Sequence, residues 1–367
     1  MEFTMEIKDI CSKFKIKGKF IKAKMLNSGI INNTYKVYFQ NNDKDEQYII
    51  QRINQNVFKK PALVMQNILS ISQHLINKLR KLDASIDRTV LHYMLADNNY
   101  AYYTDEEGEY WRCYRFINDS VTYNNPDDLF IIEEAGKAFG QFQSLLCDFD
   151  ATTLHESIPD FHNTKLRFTR LFESYDLDVA QRAGEVQAEI EYLRSRQELA
   201  SSLCNKIENK LLPIKVTHND TKCNNVLFDQ DTNEALAVID LDTVMPGIVA
   251  YDYGDAIRCV AATCEEDETD LNKVKIDMSK FNAFTKGFVS KVKNTLSNEE
   301  FDSLSDGIIV ITLELASRFL KDYLDGDIYF KIKYQGHNLV RARCQIELAK
   351  EFERHFDEIK KTIESYK

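Results

Sequence analysis

The sequence predicts an α+β fold with a β-rich N-terminal part and a mainly helical C-terminal part. Three observations lead to this prediction. Short β-branched and aromatic runs fill the first third, apolar residues at helical spacing dominate from residue 125 onward, and 367 residues exceed the usual size of one compact core. We therefore expect two domains, residues 1–117 and residues 118–367.

The first domain is predicted to contain about five strands and one helix. The runs 20–26, 31–39 and 47–53 are separated by turn residues, which is typical of an antiparallel meander. Residues 61–82 show helical spacing, with Pro61 in the first turn. The segments "TVLHYML", "NYAYYT" and "EYWRCYRFI" follow, and the last two indicate a hairpin.

The second domain carries long helical patterns. In the segment 125–149 we expect Asn125 to be the N-cap and Pro126 the first helical residue. Further helices are predicted at 181–210, at 299–325 and from Leu339 to Ile363, the last as one continuous apolar stripe. A single β-hairpin, 225–229 with 235–242, interrupts this helical part.

Composition excludes several classes of function. A net charge of −11 argues against a nucleic-acid partner or an anionic membrane surface. The eight cysteines form no CxxC pair or zinc-type cluster, which indicates reduced thiols in a cytosolic protein. No signal peptide is recognisable at the N-terminus, and no apolar run approaches the ~18 residues of a spanning helix. We expect a cytoplasmic protein whose partners are small molecules.

The segment "THNDTKCNNVLFD" (217–229) concentrates groups that carry chemistry. His218-x-Asp220 is followed by Asn225, and Asp240 follows on a strand that reads "VIDLD". In phosphoryl transfer, one carboxylate accepts a hydroxyl proton while an Asn and a later Asp hold Mg²⁺ on the nucleotide phosphates. A His-x-Asp pair alone is common, but the full spacing is rare. We therefore prefer a catalytic loop over a polar surface loop.

These blocks resemble a known superfamily. "THNDTKCNNVLFD" with "AVIDLDTVMPGIVAYDYGDAIR" is similar to the aminoglycoside phosphotransferase/choline kinase-like superfamily, whose members have a bilobal protein-kinase-like fold. The blocks "GIINNTYKVYF", "YIIQRINQNVF", "YWRCYRFI" and "SRFLKDYLDGDIYFKIK" resemble, more loosely, the N-acetylhexosamine 1-kinase branch. The resemblance implies ATP as co-substrate, Mg²⁺ as cofactor and a sugar acceptor.

The resemblance also implies a role for individual residues. Asp220 would be the base for the sugar hydroxyl, and Lys222 would lie near the γ-phosphate. Asn225 and Asp240 would be the Mg²⁺ ligands, and Asp252 would anchor the catalytic loop. The residues expected to contact the sugar are Asp220, Asp240, Thr243, Arg318 and Tyr329.

The nucleotide is expected to bind the first domain, with a hinge near 113–118. The segment "NSGIINNT" (27–34) would cover the phosphates, although with one glycine it is equally explained as an ordinary hairpin turn. Kinases place a Lys on the third strand, where this chain has Gln51 and Arg52. Successive strand residues face opposite ways, and Arg52 keeps the charge, so we predict that Arg52 contacts phosphate. The full predicted set is Ser28, Gly29, Asn32, Asn33, Thr34, Arg52, Tyr114, Phe116 and Ile117.

The predicted function is ATP-dependent phosphorylation of the anomeric hydroxyl of an N-acetylhexosamine to the sugar 1-phosphate. Alternatives are the same chemistry on a hexose, choline or ethanolamine, homoserine or an aminoglycoside. The acidic run "CEEDETD" (264–270) would suit a polycationic aminoglycoside, although a solvated loop explains it more simply. A non-catalytic nucleotide-binding pseudokinase is a further alternative, because the third-strand Lys is missing. The presence of both the base and two metal ligands favours an enzyme.

Overall fold

The computed structural model describes residues 2–26, 31–42 and 44–367, with the side chains of residues 2–5 left out. The chain forms two compact units, each assembled from separate segments. The first unit comprises Met1–Val121, Thr152–Pro159 and Leu227–Met245, and the second comprises Thr122–Ala151, Asp160–Val226 and Pro246–Lys367. The N-terminal part is thus joined by two later segments that the predicted two-segment division did not include.

The first unit is built on an antiparallel five-stranded sheet in the order β1-β2-β3-β5-β4. Its strands are β1 (Lys19–Leu26), β2 (Asn33–Asn41), β3 (Lys44–Arg52), β4 (Tyr103–Thr104) and β5 (Tyr110–Arg115). The predicted meander and hairpin are therefore confirmed. The segment 89–95 forms no strand of this sheet and meets β5 through an isolated bridge at Tyr93 and two backbone hydrogen bonds.

Two helices and a second small sheet complete the first unit. The helices are α1 (Glu2–Ser12) and α2 (Pro61–Lys81), of which only α2 was predicted. Ile7, Ile10 and Cys11 on α1 belong to the same buried cluster as Val37 and Trp111 of the sheet, which explains why α1 folds against it. The small sheet has the order β6-β8-β9. Its strands are β6 (Ser120–Val121), β8 (Val226–Asp229) and β9 (Ala235–Val238).

The second unit is mainly helical, so the predicted α+β class is confirmed. Its helices are α3 (Leu129–Leu145), α4 (Thr164–Leu177), α5 (Gln187–Ser195), α6 (Gln197–Glu208), α7 (Val249–Val260), α8 (Met278–Val292), α9 (Asn298–Leu324), α10 (His337–Arg354) and α11 (Phe356–Ser365). The strands β7 (Lys215–Thr217) and β10 (Met245–Gly247) form a two-stranded sheet. Within the described part of the chain, no helix combines the length and apolar character needed to span a membrane.

Two predicted helix ends need correction. The N-cap of α3 is Asp128, whose carboxylate accepts the N–H of Phe130 at 2.8 Å, rather than Asn125. Pro126 therefore precedes the helix. The final helix breaks at His355, where the backbone leaves the helical region with φ −104° and ψ 10°. Apolar spacing continues across this break, so the sequence pattern did not reveal it.

Glycines allow α7 to pack closely against α9. A Cβ added to Gly254 of α7 would come within 2.3 Å of the carbonyl oxygen of Gly307 on α9. A Cβ added to Gly307 would come within 2.2 Å of the carbonyl oxygen of Ala250. Only glycine permits this approach at both positions. The contact fixes α7, which carries the carboxylates described next.

Candidate active site

The predicted catalytic loop between β7 and β8 is fixed by a buried carboxylate of α7. Asp252 is 2% exposed and accepts the backbone N–H groups of His218 and Asn219, each at 2.8 Å. Gln143 of α3 donates its Nε2–H to Asp252 at 2.6 Å. Burial raises the pKa of Asp252. The nearby His218 side chain and the three hydrogen-bond donors offset this rise only in part. The carboxylate therefore serves as an anchor for the loop.

A second carboxylate of α7 holds the next part of the loop. Asp255 accepts the backbone N–H of Thr221 at 3.2 Å and lies 2.8 Å from Nη2 of Arg258. Burial alone would raise the pKa of Asp255, but attraction by Arg258 and then Lys222 outweighs it, so the pKa is lowered. The Thr221 hydroxyl also donates to the Asp252 carbonyl at 2.6 Å. Three loop N–H groups are thus bound by one helix.

Asp220 is presented between these anchored positions. Its side chain is 28% exposed, and its Oδ2 accepts the Nδ2–H of Asn225 at 2.9 Å. Nζ of Lys222 lies 2.6 Å from its Oδ1. The preceding Asn219 has φ 63°, a left-handed conformation that Asn tolerates better than most residues. Both carboxylate oxygens are therefore oriented while remaining within reach of a ligand.

Asn225 and Lys222 complete the arrangement in this unit. Asn225 Nδ2 also donates to the main-chain oxygen of Asp220 at 2.8 Å, so the amide oxygen is the end left for a cation. Burial alone would lower the pKa of Lys222. Attraction by Asp220 and other neighbours outweighs this effect, so the pKa is raised overall. Lys222 is therefore positively charged at neutral pH. The structure brings the predicted base, lysine and amide ligand together.

The other predicted metal ligand, Asp240, belongs to the first unit and follows β9. Its backbone is left-handed, with φ 59° and ψ 58°. A non-glycine residue in this region is uncommon and is often found at functional sites. The following 3₁₀ turn, Leu241–Thr243, buries Asp242 and Thr243, which are 3% and 9% exposed. Thr243 was predicted as a sugar contact, and that role stays a prediction.

Asp242 forms a buried ion pair that sequence reasoning missed. Arg112 of β5 donates both Nη groups to the Asp242 carboxylate, with Nη2 3.0 Å from Oδ2. The two side chains are 2% and 3% exposed. Asn32, predicted to bind phosphate, donates its Nδ2–H to Oδ2 of Asp242 at 2.6 Å. Nothing in "YWRCYRFI" marks Arg112 as different from Arg115, so only the contact reveals it.

The two candidate residues of β3 take different partners. Gln51 accepts the Nε–H of Arg112 at 2.9 Å and donates its Nε2–H to Oγ1 of Thr34 at 3.0 Å. Arg52 lies over the ring of Trp111, with 6.0 Å between its Cζ and the ring centroid. Gln51 therefore shares the face of Arg112 and Asp242. The predicted contact between Arg52 and phosphate stays a prediction, and the positive charge on that face belongs to Arg112.

The predicted phosphate-covering segment is described only in part. Ser28 and Gly29 lie outside the described residues. Asn32 also accepts the backbone N–H of Asn54 through its Oδ1 at 3.0 Å, so both ends of this amide are engaged. Asn33 begins β2 opposite Arg52 of β3. Their contacts with nucleotide stay predictions.

The predicted hinge continues from β5. The Tyr114 ring lies 5.4 Å from that of Tyr93, and Ile117 is 6% exposed in a small apolar cluster. The N–H of Phe116 donates to the carbonyl of Gln47 at 3.0 Å. Tyr114, Phe116 and Ile117 remain predicted adenine contacts.

The structure also brings together two of the predicted sugar contacts. Arg318 of α9 and Tyr329 both pack on the Phe330 ring, at 5.5 Å from Arg318 Cζ and 4.8 Å between ring centroids. The Asp322 carboxylate accepts the N–H groups of Tyr329 at 2.7 Å and Phe330 at 2.9 Å, which fixes this loop. Tyr329 is 63% exposed, so its side chain is open to a ligand.

The catalytic loop, its anchoring helix and the β-rich N-terminal unit define the class of protein-kinase-like phosphotransferases. The chain belongs to the phosphotransferase enzyme family (APH), whose sequence pattern matches residues 23–281. The superfamily predicted from the sequence is therefore confirmed, while the N-acetylhexosamine 1-kinase branch stays a prediction.

Solved structures share this fold at low sequence identity. Choline kinase from Cryptosporidium parvum Iowa II is 14% identical with a TM-score of 0.59, and the match covers 96% of each chain. An aminoglycoside phosphotransferase from Alicyclobacillus acidocaldarius is 10% identical with a TM-score of 0.58, covering 98% of this chain and 96% of that one. ADP-bound aminoglycoside phosphotransferase APH(2'')-Ib is 13% identical with a TM-score of 0.52, covering 95% and 98%. These likenesses confirm the predicted protein-kinase-like fold.

Proposed function

We propose that this protein transfers the γ-phosphoryl group of ATP to the anomeric hydroxyl of an N-acetylhexosamine. The observation that carries the phosphotransferase part is the Asp220 carboxylate, oriented by Asn225 and Lys222 on a loop that α7 fixes. ATP is supported by the ADP bound in a solved structure of the same fold. The acceptor is supported by the sequence blocks around Arg318 and Tyr329.

Asp220 would accept the proton of the attacking hydroxyl. Phosphoryl transfer passes through a loose transition state, so the hydroxyl needs orientation more than a strong base. Asn225 and the Lys222 ammonium group hold the two oxygens of this carboxylate in a fixed orientation, which suits this requirement. The Lys222 charge also lies where it can stabilise the negative charge on the transferred group.

The predicted ligands suit a magnesium ion. Asn225 offers its amide oxygen because its nitrogen is bonded to Asp220, and Asp240 offers a carboxylate. Mg²⁺ prefers such hard oxygen atoms and takes few of them from protein. When bound, Mg²⁺ neutralises charge on the nucleotide phosphates.

An acceptor screen tests the proposed activity. ADP release from Mg²⁺–ATP is measured with N-acetylglucosamine, N-acetylgalactosamine, glucose, choline, ethanolamine, homoserine and an aminoglycoside. We expect stimulation by an N-acetylhexosamine. No stimulation by either N-acetylhexosamine would overturn the acceptor, and ATP binding without turnover on any compound would favour the pseudokinase.

The base assignment is tested by Asp220→Asn. We expect kcat to fall by about 10²–10⁴-fold, the usual contribution of a general base, while thermal unfolding stays near that of the wild type. Asn224→Ala is a matched control on the same loop, because Asn224 bonds only to Asn124 among the described residues, at 3.3 Å. Near-normal turnover by Asp220→Asn would show that another group accepts the proton.

A further inference from the structure

The predicted sugar contact Arg318 belongs to a cluster of charged side chains in the second unit whose other members have no role in the chemistry described so far. His162, just before α4, and Arg318 of α9 share the Glu314 carboxylate. His162 Nδ1 lies 3.1 Å from Oε2, and Arg318 Nη1 lies 3.8 Å from Oε1. The side chains of Glu314, His162 and Arg318 are 2%, 10% and 15% exposed. The buried Glu314 carboxylate therefore contacts both the His162 ring and the Arg318 guanidinium group.

Arg167 of α4 adds a further positive charge to this cluster. Its Nη2 donates to the carbonyl of Phe161 at 3.1 Å. Burial lowers the pKa of Arg167, and repulsion by Arg318 lowers it further. The positive charge of the cluster is thus not fully balanced by Glu314.

Two nitrogen atoms of the cluster point to a ligand. Nε2 of His162 and Nε of Arg167 are buried and have no hydrogen-bond partner among the described residues. Buried polar atoms in folded proteins nearly always have a partner, so an unpartnered pair within one cluster calls for an explanation. The Arg167 Nε–H is a donor, so the missing partner is an acceptor atom.

Aromatic rings form the walls of this cluster. Cζ of Arg318 lies 5.2 Å from the Phe161 ring centroid and 5.5 Å from that of Phe330. The His162 ring lies 4.9 Å from that of Tyr251. These rings and the Asp322-bound loop hold the polar groups in place.

The cluster also neighbours the catalytic loop. His162 is close enough to Asp255 to contribute to the lowered pKa of that carboxylate, after burial and the larger effects of Arg258 and Lys222. Asp255 in turn binds the N–H of Thr221, the residue after Asp220. The His162 ring also packs on Tyr251 of α7, so the cluster contacts the helix that anchors the predicted catalytic loop.

We propose that Arg167, His162 and Arg318 form an acceptor subsite that binds an sp² oxygen, an acyl carbonyl or a carboxylate, and rejects an ammonium group. The proposal rests on the proposed function and deepens it, because an N-acetylhexosamine would place its acetamido oxygen there. The two arginines repel the cationic groups of choline, ethanolamine and aminoglycosides. Arg167 and His162 are then the determinants that separate an N-acylated sugar from its free amine.

The test compares four related sugars in wild-type enzyme and Arg167 variants. N-acetylglucosamine carries an acetamido group, glucuronate a carboxylate, glucose only hydroxyls and glucosamine an ammonium group. Binding is measured by titration calorimetry and turnover by ADP release. We expect Arg167→Ala to lower kcat/KM for N-acetylglucosamine by about 10- to 100-fold, the range for one charged hydrogen bond, and to change glucose by less than about 3-fold. The KM for ATP should not change.

Control variants keep the outcomes separate. Arg170 lies on the same helix; its side chain is 41% exposed, and its Nη2 lies 3.5 Å from Oδ2 of Asp160. Arg170→Ala should leave the preference between the sugars unchanged. If Arg167→Ala does not fold, Arg167→Gln and His162→Gln give the same comparison.

Three outcomes would overturn the subsite: an equal loss of kcat/KM on all sugars in Arg167→Ala, no loss on any sugar, or a preference of the wild-type enzyme for glucosamine. The enzyme could instead turn over glucuronate but not N-acetylglucosamine, while Arg167→Ala still lowers kcat/KM for glucuronate. That result would overturn the N-acetylhexosamine assignment but not the subsite. Binding of none of the four would overturn both.

Discussion

The catalytic loop of the second unit and the turn after β9 in the first unit both depend on a buried carboxylate, but in opposite ways. Asp252 lies outside its loop and binds the main-chain N–H groups of His218 and Asn219. Asp242 lies within its turn, and Arg112 holds its side chain from β5, a strand of the five-stranded sheet. The Asp252 carboxylate fixes the backbone of the loop, whereas the Asp242 carboxylate is itself fixed by Arg112.

The two arrangements also differ in charge. Asp252 is held by neutral donors, and burial raises its pKa, whereas Asp255 three residues later has Arg258 beside it and a lowered pKa. Asp242 has a full buried cation as its partner. Removing Asp252 should therefore free the loop that contains His218 and Asn219. Removing Arg112 should leave the buried Asp242 carboxylate without its cationic partner.

The largest effect is expected from Asp252→Ala. The change leaves two backbone N–H groups and the Gln143 amide without their acceptor, which should cost about 5 kcal/mol of unfolding free energy. Because the loop geometry is lost too, kcat should fall at least 10²-fold. Chemical denaturation and steady-state kinetics measure both effects. Wild-type stability in this variant would show that the loop is held by other contacts.

The next largest effect is expected from Arg112→Met. It leaves the Asp242 charge buried without its partner, which should destabilise the protein by about 4 kcal/mol. Adding Asp242→Leu should restore part of this loss, because replacing both members of a buried pair is often tolerated. Denaturant unfolding of both single variants and the double variant gives the coupling energy. If the double variant is as unstable as the sum of the single variants, the pair is not coupled.

The smallest effect separates the two residues of β3. Gln51→Leu removes hydrogen bonds to Thr34 and Arg112 and should cost about 1–2 kcal/mol. Arg52→Leu removes a contact with the Trp111 ring and should cost less than about 1 kcal/mol. The KM for ATP, measured in both, tests the predicted phosphate contact of Arg52. A rise in that KM for Arg52→Leu alone would support the prediction, and a rise for Gln51→Leu alone would shift the role to the Arg112 side of the sheet.

Much of the fold, and the segment that holds the predicted base, could be predicted from local sequence patterns. Strand alternation and helical spacing are patterns among residues that are close in sequence. The predicted site residues from His218 to Asn225 also lie within one short segment. The N-cap of α3 was misplaced because Asn125 and Asp128 are both good capping residues, and only the folded backbone decides between them. The break at His355 was missed because apolar spacing continues through it.

The sequence by itself determined the α+β class and the phosphotransferase family, and it placed the predicted site residues Asp220, Lys222 and Asn225 in one short segment. Only the tertiary structure decided that Arg112 meets Asp242 across 130 positions and that His162 meets Glu314 across 152. It also decided that Gln51 rather than Arg52 faces Arg112. The reason is physical: alternation along a strand says that neighbours face opposite ways, but the packing of distant segments sets which face is which.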